Sequence, residues 1–271
     1  MVAAAFAAVA SAADSVSGIH VESTYWATRG TAARVLVMRP AVSQIGIILL
    51  PGGHGNINLD VQAQIGWGVD DFVIRTRANY AQAGLTAVIP DVPVDRKPPA
   101  PLWDYRWSEA QADDLGAIAA TLKREVRQVF VVAYDRAATS ALNSAARHRL
   151  DLVAGVAMIS PILDATESRD ASVGERTSLG LADMAVLVID HELDKCSAPV
   201  VARLKEALAG RTAPDFQSIT LQGGSDQYTL QDQLAYPRDP CNKDAHHALA
   251  GLEARVSAIV IDWAKDQAIR H

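Results

Sequence analysis

Between Ile45 and Val260, short apolar runs alternate with longer segments whose apolar positions recur at helical spacing. Parallel strands joined by crossover helices require that alternation, because each crossover must carry the chain back across the sheet before the next strand begins. The chain therefore reads as α/β. Strand-forming runs lie at 20–25, 34–38, 45–50, 86–89, 129–134, 153–159, 185–189 and 217–221. The middle ones are almost wholly apolar, as strands buried on both faces must be, whereas the two early ones carry more polar residues and suit an antiparallel edge. Helical segments fit between them at 69–83, 108–123, 137–148, 198–209 and 248–268, with Gly84 and Gly210 placed as C-caps. The expected architecture is a mostly parallel central sheet of about eight strands with helices on both faces.

A sheet of that size accommodates the 271 residues as one unit, and no linker or repeat divides the chain after its first segment. Residues 1–13 are nearly all Ala, Val and Phe, and Ala10-Ser11-Ala12 resembles the small-residue site that signal peptidase cuts. They read as an export leader ahead of a single domain over 14–271, which places the mature protein in the periplasm or outside the cell. A buried N-terminal helix is the competing reading, and the lack of a basic n-region favours it. No later stretch offers the roughly 18 consecutive apolar residues of a membrane span. The formal charge is −6 and the Lys and Arg residues are scattered, so no electrostatic footprint for nucleic acid is present. Two cysteines occur, Cys196 and Cys241. In an exported protein they are most simply one disulfide; two unrelated buried thiols are the alternative.

Ligands of open α/β sheets bind beyond the carboxyl ends of the strands, so the residues that follow each apolar run carry the functional weight. After 45–50 comes Pro51-Gly52-Gly53-His54-Gly55, whose exposed amides suit an oxyanion and whose glycines equally suit a plain tight turn. After 129–134 stands Asp135, at a strand-to-helix corner between the small residues Ala133 and Ala137. This is the pattern of a nucleophile elbow, with aspartate in the serine position; a simple N-cap for the following helix is the competing reading. After 185–189, Asp194 is the natural carboxylate to orient a histidine, with Asp190 and Glu192 as rivals. His191 has no companion at zinc-ligand spacing, so no metal site is expected. His246 and His247 precede the last helix and complete the order nucleophile, acid, histidine that α/β-hydrolases use. A surface or metal-binding pair is the other reading of these two histidines. The Pro- and aromatic-rich stretch 95–105 is a candidate substrate-facing loop. Trp103, Tyr105 and Trp107 there, with His54, are candidate pocket residues, against the alternative of ordinary aromatic packing.

Taken together, these motifs resemble a group of bacterial, often exported α/β-hydrolases. That group carries an L-P-G-G-x-G turn, an N-F-x-x-R-x-R helix, a G-x-S-R-G elbow, an H-x-x-D-x-C acid loop and a late C…H-G-F-x-G-x-E segment. The matching residues run from Leu50-Pro51-Gly52-Gly53-His54-Gly55 through Asp71-Phe72-Val73-Ile74-Arg75-Thr76-Arg77 and His191-Glu192-Leu193-Asp194-Lys195-Cys196 to Cys241 and His247-Ala248-Leu249-Ala250-Gly251-Leu252-Glu253. The resemblance implies an α/β-hydrolase fold with a minimal lid and no cofactor. It also implies His247 as the base, Asp194 as the acid, and the amides near Gly53 and of Arg136 as the oxyanion hole.

The chain departs from that pattern at the elbow, where Ala, Asp and Ala replace Gly, Ser and Gly, and at Ala248 and Leu249, which replace Gly and Phe. An ionised carboxylate needs no base to become a nucleophile, so the histidine would instead activate water. Carboxylate nucleophiles serve haloalkane and haloacetate dehalogenases and epoxide hydrolases of this fold, and Asp135-Arg136 is similar to the Asp-Arg pair of haloacetate dehalogenases. Arg75 and Arg77 are candidates either to bind a substrate carboxylate or to hold local structure. The implied function is hydrolysis of a small ester-like, halide or epoxide substrate through Asp135, His247 and Asp194. The alternative is a pseudoenzyme that binds a ligand or partner through the retained pocket.

Overall fold

The structure, a computed structural model, describes residues 18–96, 102, 104–147, 150–163, 181, 184–209, 216–227, 241 and 244–270. The leader expected at 1–13, Trp103 and the C-cap expected at Gly210 lie outside them. So do residues 164–180.

Eight strands form one sheet: β1 (Ile19–Ala27), β2 (Ala32–Pro40), β3 (Ile45–Leu50), β4 (Thr86–Pro93), β5 (Gln128–Tyr134), β6 (Gly155–Ile159), β7 (Ala185–His191) and β8 (Phe216–Leu221). The described helices are α1 (Phe72–Gln82), α2 (Glu109–Lys123), α3 (Ala137–Ala146), α4 (Ala198–Leu208) and α5 (Glu253–Arg270). The strand order is β1-β2-β4-β3-β5-β6-β7-β8. β2 pairs antiparallel with both β1 and β4, and every pairing from β4–β3 onward is parallel. The antiparallel edge thus falls on the two runs that carry polar residues, and each expected strand is present.

Side chains two apart on a strand share a face, and the core divides accordingly. Ile48, Leu50, Val131 and Ala133 pack beneath Leu115, Ile118 and Leu122 of α2, Ala141 and Leu142 of α3 and Leu204 of α4. Ile47, Leu49, Phe130 and Val132 pack on the other face against Phe72, Val73 and Tyr80 of α1 and Val256, Val260 and Trp263 of α5. The result is three layers, with the parallel strands all ending at the same rim.

Two helix starts differ from expectation, for local reasons. Helix α1 begins at Phe72 instead of 69 because the Asp71 carboxylate accepts the Val73 amide at 3.0 Å and caps it there. Helix α5 begins at Glu253 instead of 248 because Leu249 (φ 53°) and Gly251 (φ 76°) take left-handed conformations that an α-helix cannot include. The residues ahead of it run as consecutive turns, and His247 lies among them. Among the described residues no helix is long and apolar enough to cross a membrane.

Cys196 and Cys241 form a disulfide that closes 45 residues of chain. The Cys241 carbonyl accepts the Asp244 amide at 3.1 Å, so the bridge ties the turn after β7 to the turns that carry His247. A cross-link over a loop of 45 residues is worth about 4 kcal/mol through the entropy of the unfolded chain. The double variant Cys196→Ser, Cys241→Ser is expected to lose roughly that much of its unfolding free energy in denaturant titrations; an unchanged midpoint would show that the bridge constrains nothing.

Candidate active site

The elbow lies between β5 and α3. Asp135 has φ 53°, a left-handed conformation that aspartate tolerates better than most non-glycine residues. Its backbone is pinned on both sides: the amide donates to the Ile159 carbonyl at 3.0 Å, and the carbonyl accepts the Ile162 amide at 3.2 Å. Ala133 and Ala137 on either side are fully buried. The N-cap reading of Asp135 is overturned. Arg136 holds the N-cap position of α3, no side chain caps that helix, and the Asp135 carboxylate points the other way.

That carboxylate meets two partners. Oδ2 accepts the Gly53 amide at 2.7 Å, and Oδ1 lies 3.3 Å from His247 Nε2. On the far side of the ring, His247 Nδ1 is 2.9 Å from Asp194 Oδ2. All three residues are buried, Asp135 to 3 % exposure, His247 and Asp194 to 1 %. Asp194 is fixed in turn, since it accepts the Cys196 amide at 2.9 Å, the Ser197 amide at 3.2 Å and the Ser197 hydroxyl at 2.6 Å. The structure thus brings the expected three residues together from three widely separated segments.

The rivals sit elsewhere. The Asp190 carboxyl is raised by burial and lies by Thr220 and Lys205, while Glu192 accepts from Gln222 at the surface. His246 stacks on His191 at 4.6 Å and faces Asp226, so of the adjacent histidines only His247 turns inward to Asp135. The His191 ring holds the Gly223 carbonyl and the Leu193 amide, which gives it a structural role. Arg75 reaches the Asp70 and Ala248 carbonyls and Glu253, and Arg77 the Ile74 carbonyl. These contacts fit the local-structure reading of the two arginines.

The pocket candidates are dispersed. His54 Nδ1 accepts the Asn56 amide and its ring meets Trp67 edge-on at 5.6 Å. Tyr105 donates to Asp114 at 2.5 Å and accepts from Arg29. It lines a cavity of about 40 Å³ together with Arg106, Gln111 and Ser140, a lining that includes neither Asp135 nor His247. The Trp107 indole N–H is buried with no hydrogen-bond partner among the described residues.

Two residues hydrogen-bonded to the turn after β3 were not singled out from the sequence. Asp71 accepts the Gly52 amide at 2.7 Å. Burial pushes its carboxyl up to about 7, against the pull of the Gly52 amide, and the charge of Asp135 pushes the same way. The one signal for it was the departure from the N-F motif, where this chain carries aspartate. Arg106, only 1 % exposed, donates to Ser140 and to the carbonyls of Pro51, Gly52 and Gly53. No local pattern marks it.

The charges around His247 are coupled. Burial alone would favour the neutral imidazole, but the two flanking carboxylates outweigh it and push His247 up to about 10. Burial likewise opposes ionisation of Asp135 and Asp194, and the His247 hydrogen bond and charge outweigh it, so both carboxyls are held below the usual range. The resting centre is an imidazolium between two carboxylates.

Neither a family profile nor a curated protein matches the sequence. The fold does have known relatives. A dienelactone hydrolase from Anabaena variabilis superposes with a TM-score of 0.59 at 12% identity, covering 91% of this chain and 97% of that one. An esterase from the fungus Rhizomucor miehei gives 0.56 at 13% identity, covering 93% of this chain and 85% of that one. The fold is that of the α/β-hydrolases.

An imidazole whose folded pKa lies above its unfolded value of about 6.5 stabilises the fold fully below that value, and the contribution is lost as pH rises through about 10. Asp71, raised to about 7, adds a loss of the same sign at lower pH. The depressed Asp135 and Asp194 contribute above about pH 3.9 and lose their contribution on acidification. Unfolding free energy is therefore expected to decline from about pH 6.5 toward 10. His247→Gln should flatten that alkaline decline, and an identical slope in the variant would contradict the ion pair.

Proposed function

We propose that this chain is a hydrolase whose Asp135 carboxylate attacks a saturated carbon bearing a halide or an epoxide oxygen, and whose His247 and Asp194 then cleave the ester so formed. One observation carries the reading: at a nucleophile elbow, one oxygen of Asp135 rests on the Gly53 amide while the other faces His247.

Attack on an ester carbonyl is disfavoured here. It would create an oxyanion, and the Gly53 amide is already bound to Asp135 itself. Displacement at saturated carbon creates no tetrahedral oxyanion: a halide leaves with its electron pair, and an opened epoxide oxygen takes its proton from His247. An Asp135 oxygen forms the new C–O bond while the halide departs with the electron pair, or while the epoxide C–O bond opens. The Gly53 donor then belongs to the ester carbonyl, where the second step needs it. Water adds to Cγ of Asp135, His247 takes its proton, and the oxyanion draws on Gly53. Collapse expels the alcohol, which receives the proton from His247; Asp135 is left as a carboxylic acid, and its own hydroxyl proton passes to the imidazole as the carboxylate returns.

Charge makes the base conditional. In the resting centre His247 is protonated by virtue of two carboxylates. Esterification neutralises one of them, the imidazole loses that support, and its proton leaves, to solvent for a halide or to the opened oxygen for an epoxide. The base thus becomes competent only once there is an ester to hydrolyse. The carboxylates at the centre, with Arg75 and Arg77 engaged on backbone and Glu253, favour neutral substrates over haloacid anions.

The burial of Asp135 favours a second reading, in which carboxylate and imidazolium are a fixed ion pair inside a ligand-binding protein. Incubation with a panel of haloalkanes and epoxides separates the two. With haloalkanes, His247→Gln is expected to slow ester hydrolysis on the order of 10²–10⁴-fold and to accumulate an alkyl adduct on Asp135, seen by intact mass and peptide mapping. Asp135→Asn should show neither adduct nor turnover. A parent protein that turns over nothing, with no adduct in His247→Gln, would favour the binding protein.

A further inference from the structure

Successive peptide groups in the turn after β3 are held from opposite sides, by the Arg106 guanidinium on one and by the carboxyl groups of Asp71 and Asp135 on the other. A trans peptide points its carbonyl and its amide in opposite directions, so fixing one fixes the other. In the Pro51–Gly52 peptide, Arg106 Nη2 donates to the Pro51 carbonyl at 3.2 Å while Asp71 Oδ2 accepts the Gly52 amide at 2.7 Å. In the Gly52–Gly53 peptide, the same Nη2 donates to the Gly52 carbonyl at 3.3 Å while Asp135 Oδ2 accepts the Gly53 amide at 2.7 Å. A third donation reaches the Gly53 carbonyl at 3.2 Å.

The turn needs such anchoring. Gly53 has φ 50° and, lacking a side chain, nothing of its own to select that conformation. Gly52 cannot gain one, because a Cβ there would lie 2.7 Å from Asp135 Cβ. Arg106 also donates through Nη1 to Ser140 of α3 at 3.1 Å, which links the turn to the helix that leaves the elbow. Asp71 is itself immobilised as the cap of α1.

We propose that Arg106 and Asp71 are positioning residues that orient the Gly52 and Gly53 peptides from opposite sides and so aim the Gly53 amide at the Asp135 carboxyl oxygen. The inference rests on the hydrolase reading above and deepens it, because the same amide would steady the oxyanion of the ester-cleaving step. Neither side chain touches the reacting atoms.

Two variants test it. In Asp71→Asn the amide can accept from either Val73 or Gly52 but not both, and asparagine remains a good helix cap, so the fold is kept. In Arg106→Lys a point charge replaces a fork and cannot span Ser140 and the carbonyls together. In both, glycine-labelled NMR is expected to show the Gly53 amide proton moving upfield as its hydrogen bond lengthens. Breakdown of the Asp135 adduct should slow on the order of 10²-fold, with adduct formation changing far less. A Gly53 resonance unmoved in folded Asp71→Asn, or both steps slowed equally, would overturn the proposal. Should the parent form no adduct at all, the hydrolase reading fails, and the Gly53 resonance still decides the positioning role.

Discussion

The contact between the Asp135 carboxylate and the His247 imidazole, 3.3 Å across a buried site, sets the charge of both partners. It exists because Asp135 occupies a left-handed corner at the end of β5, a conformation that turns the side chain away from the α3 helix start and toward the rim of the sheet. Removed from water, the carboxylate must be paired, and its two oxygens find a backbone amide and a protonatable ring. Asp194, the disulfide and the turns ahead of α5 hold the ring in place.

A serine in the same position would leave the imidazole with one carboxylate and would offer a single oxygen where aspartate offers one to the Gly53 amide and one to His247. Aspartate changes both at once. The amide binds the carboxylate, and the histidine is held charged by it; in the proposed mechanism that charge lasts until the carboxylate is esterified. The solved relatives of this fold include a dienelactone hydrolase and an esterase, at 12% and 13% identity, so they speak to the architecture and not to the chemistry at residue 135. The chemistry has to be argued from the carboxylate itself.

Much of this was legible in the sequence. The strands were, because burial on both faces of a strand leaves a short continuous apolar run such as residues 129–134, too brief for a helix of ordinary length. Asp194 and His247 were legible as an order of residue types and, through resemblance, as a choice between neighbours. What was hidden depends on backbone geometry or on distant contacts. The N-cap reading of Asp135 could be excluded only by its side-chain direction. The late start of α5 follows from the left-handed backbone at Leu249, a residue type that gives no warning of it. Arg106 serves carbonyls some fifty positions earlier in the chain, so no window around Tyr105 and Trp107 reveals its task.

The central claim is that hydrolysis passes through a covalent ester of Asp135, with water attacking the enzyme's own carboxyl carbon. Single turnover of a haloalkane or epoxide in water enriched in heavy oxygen tests this most directly, read by mass spectrometry of the peptide that contains Asp135. The account predicts label in that peptide and an alcohol whose oxygen came from the unlabelled carboxylate. Label entering the alcohol directly, with the Asp135 peptide unlabelled, would contradict it.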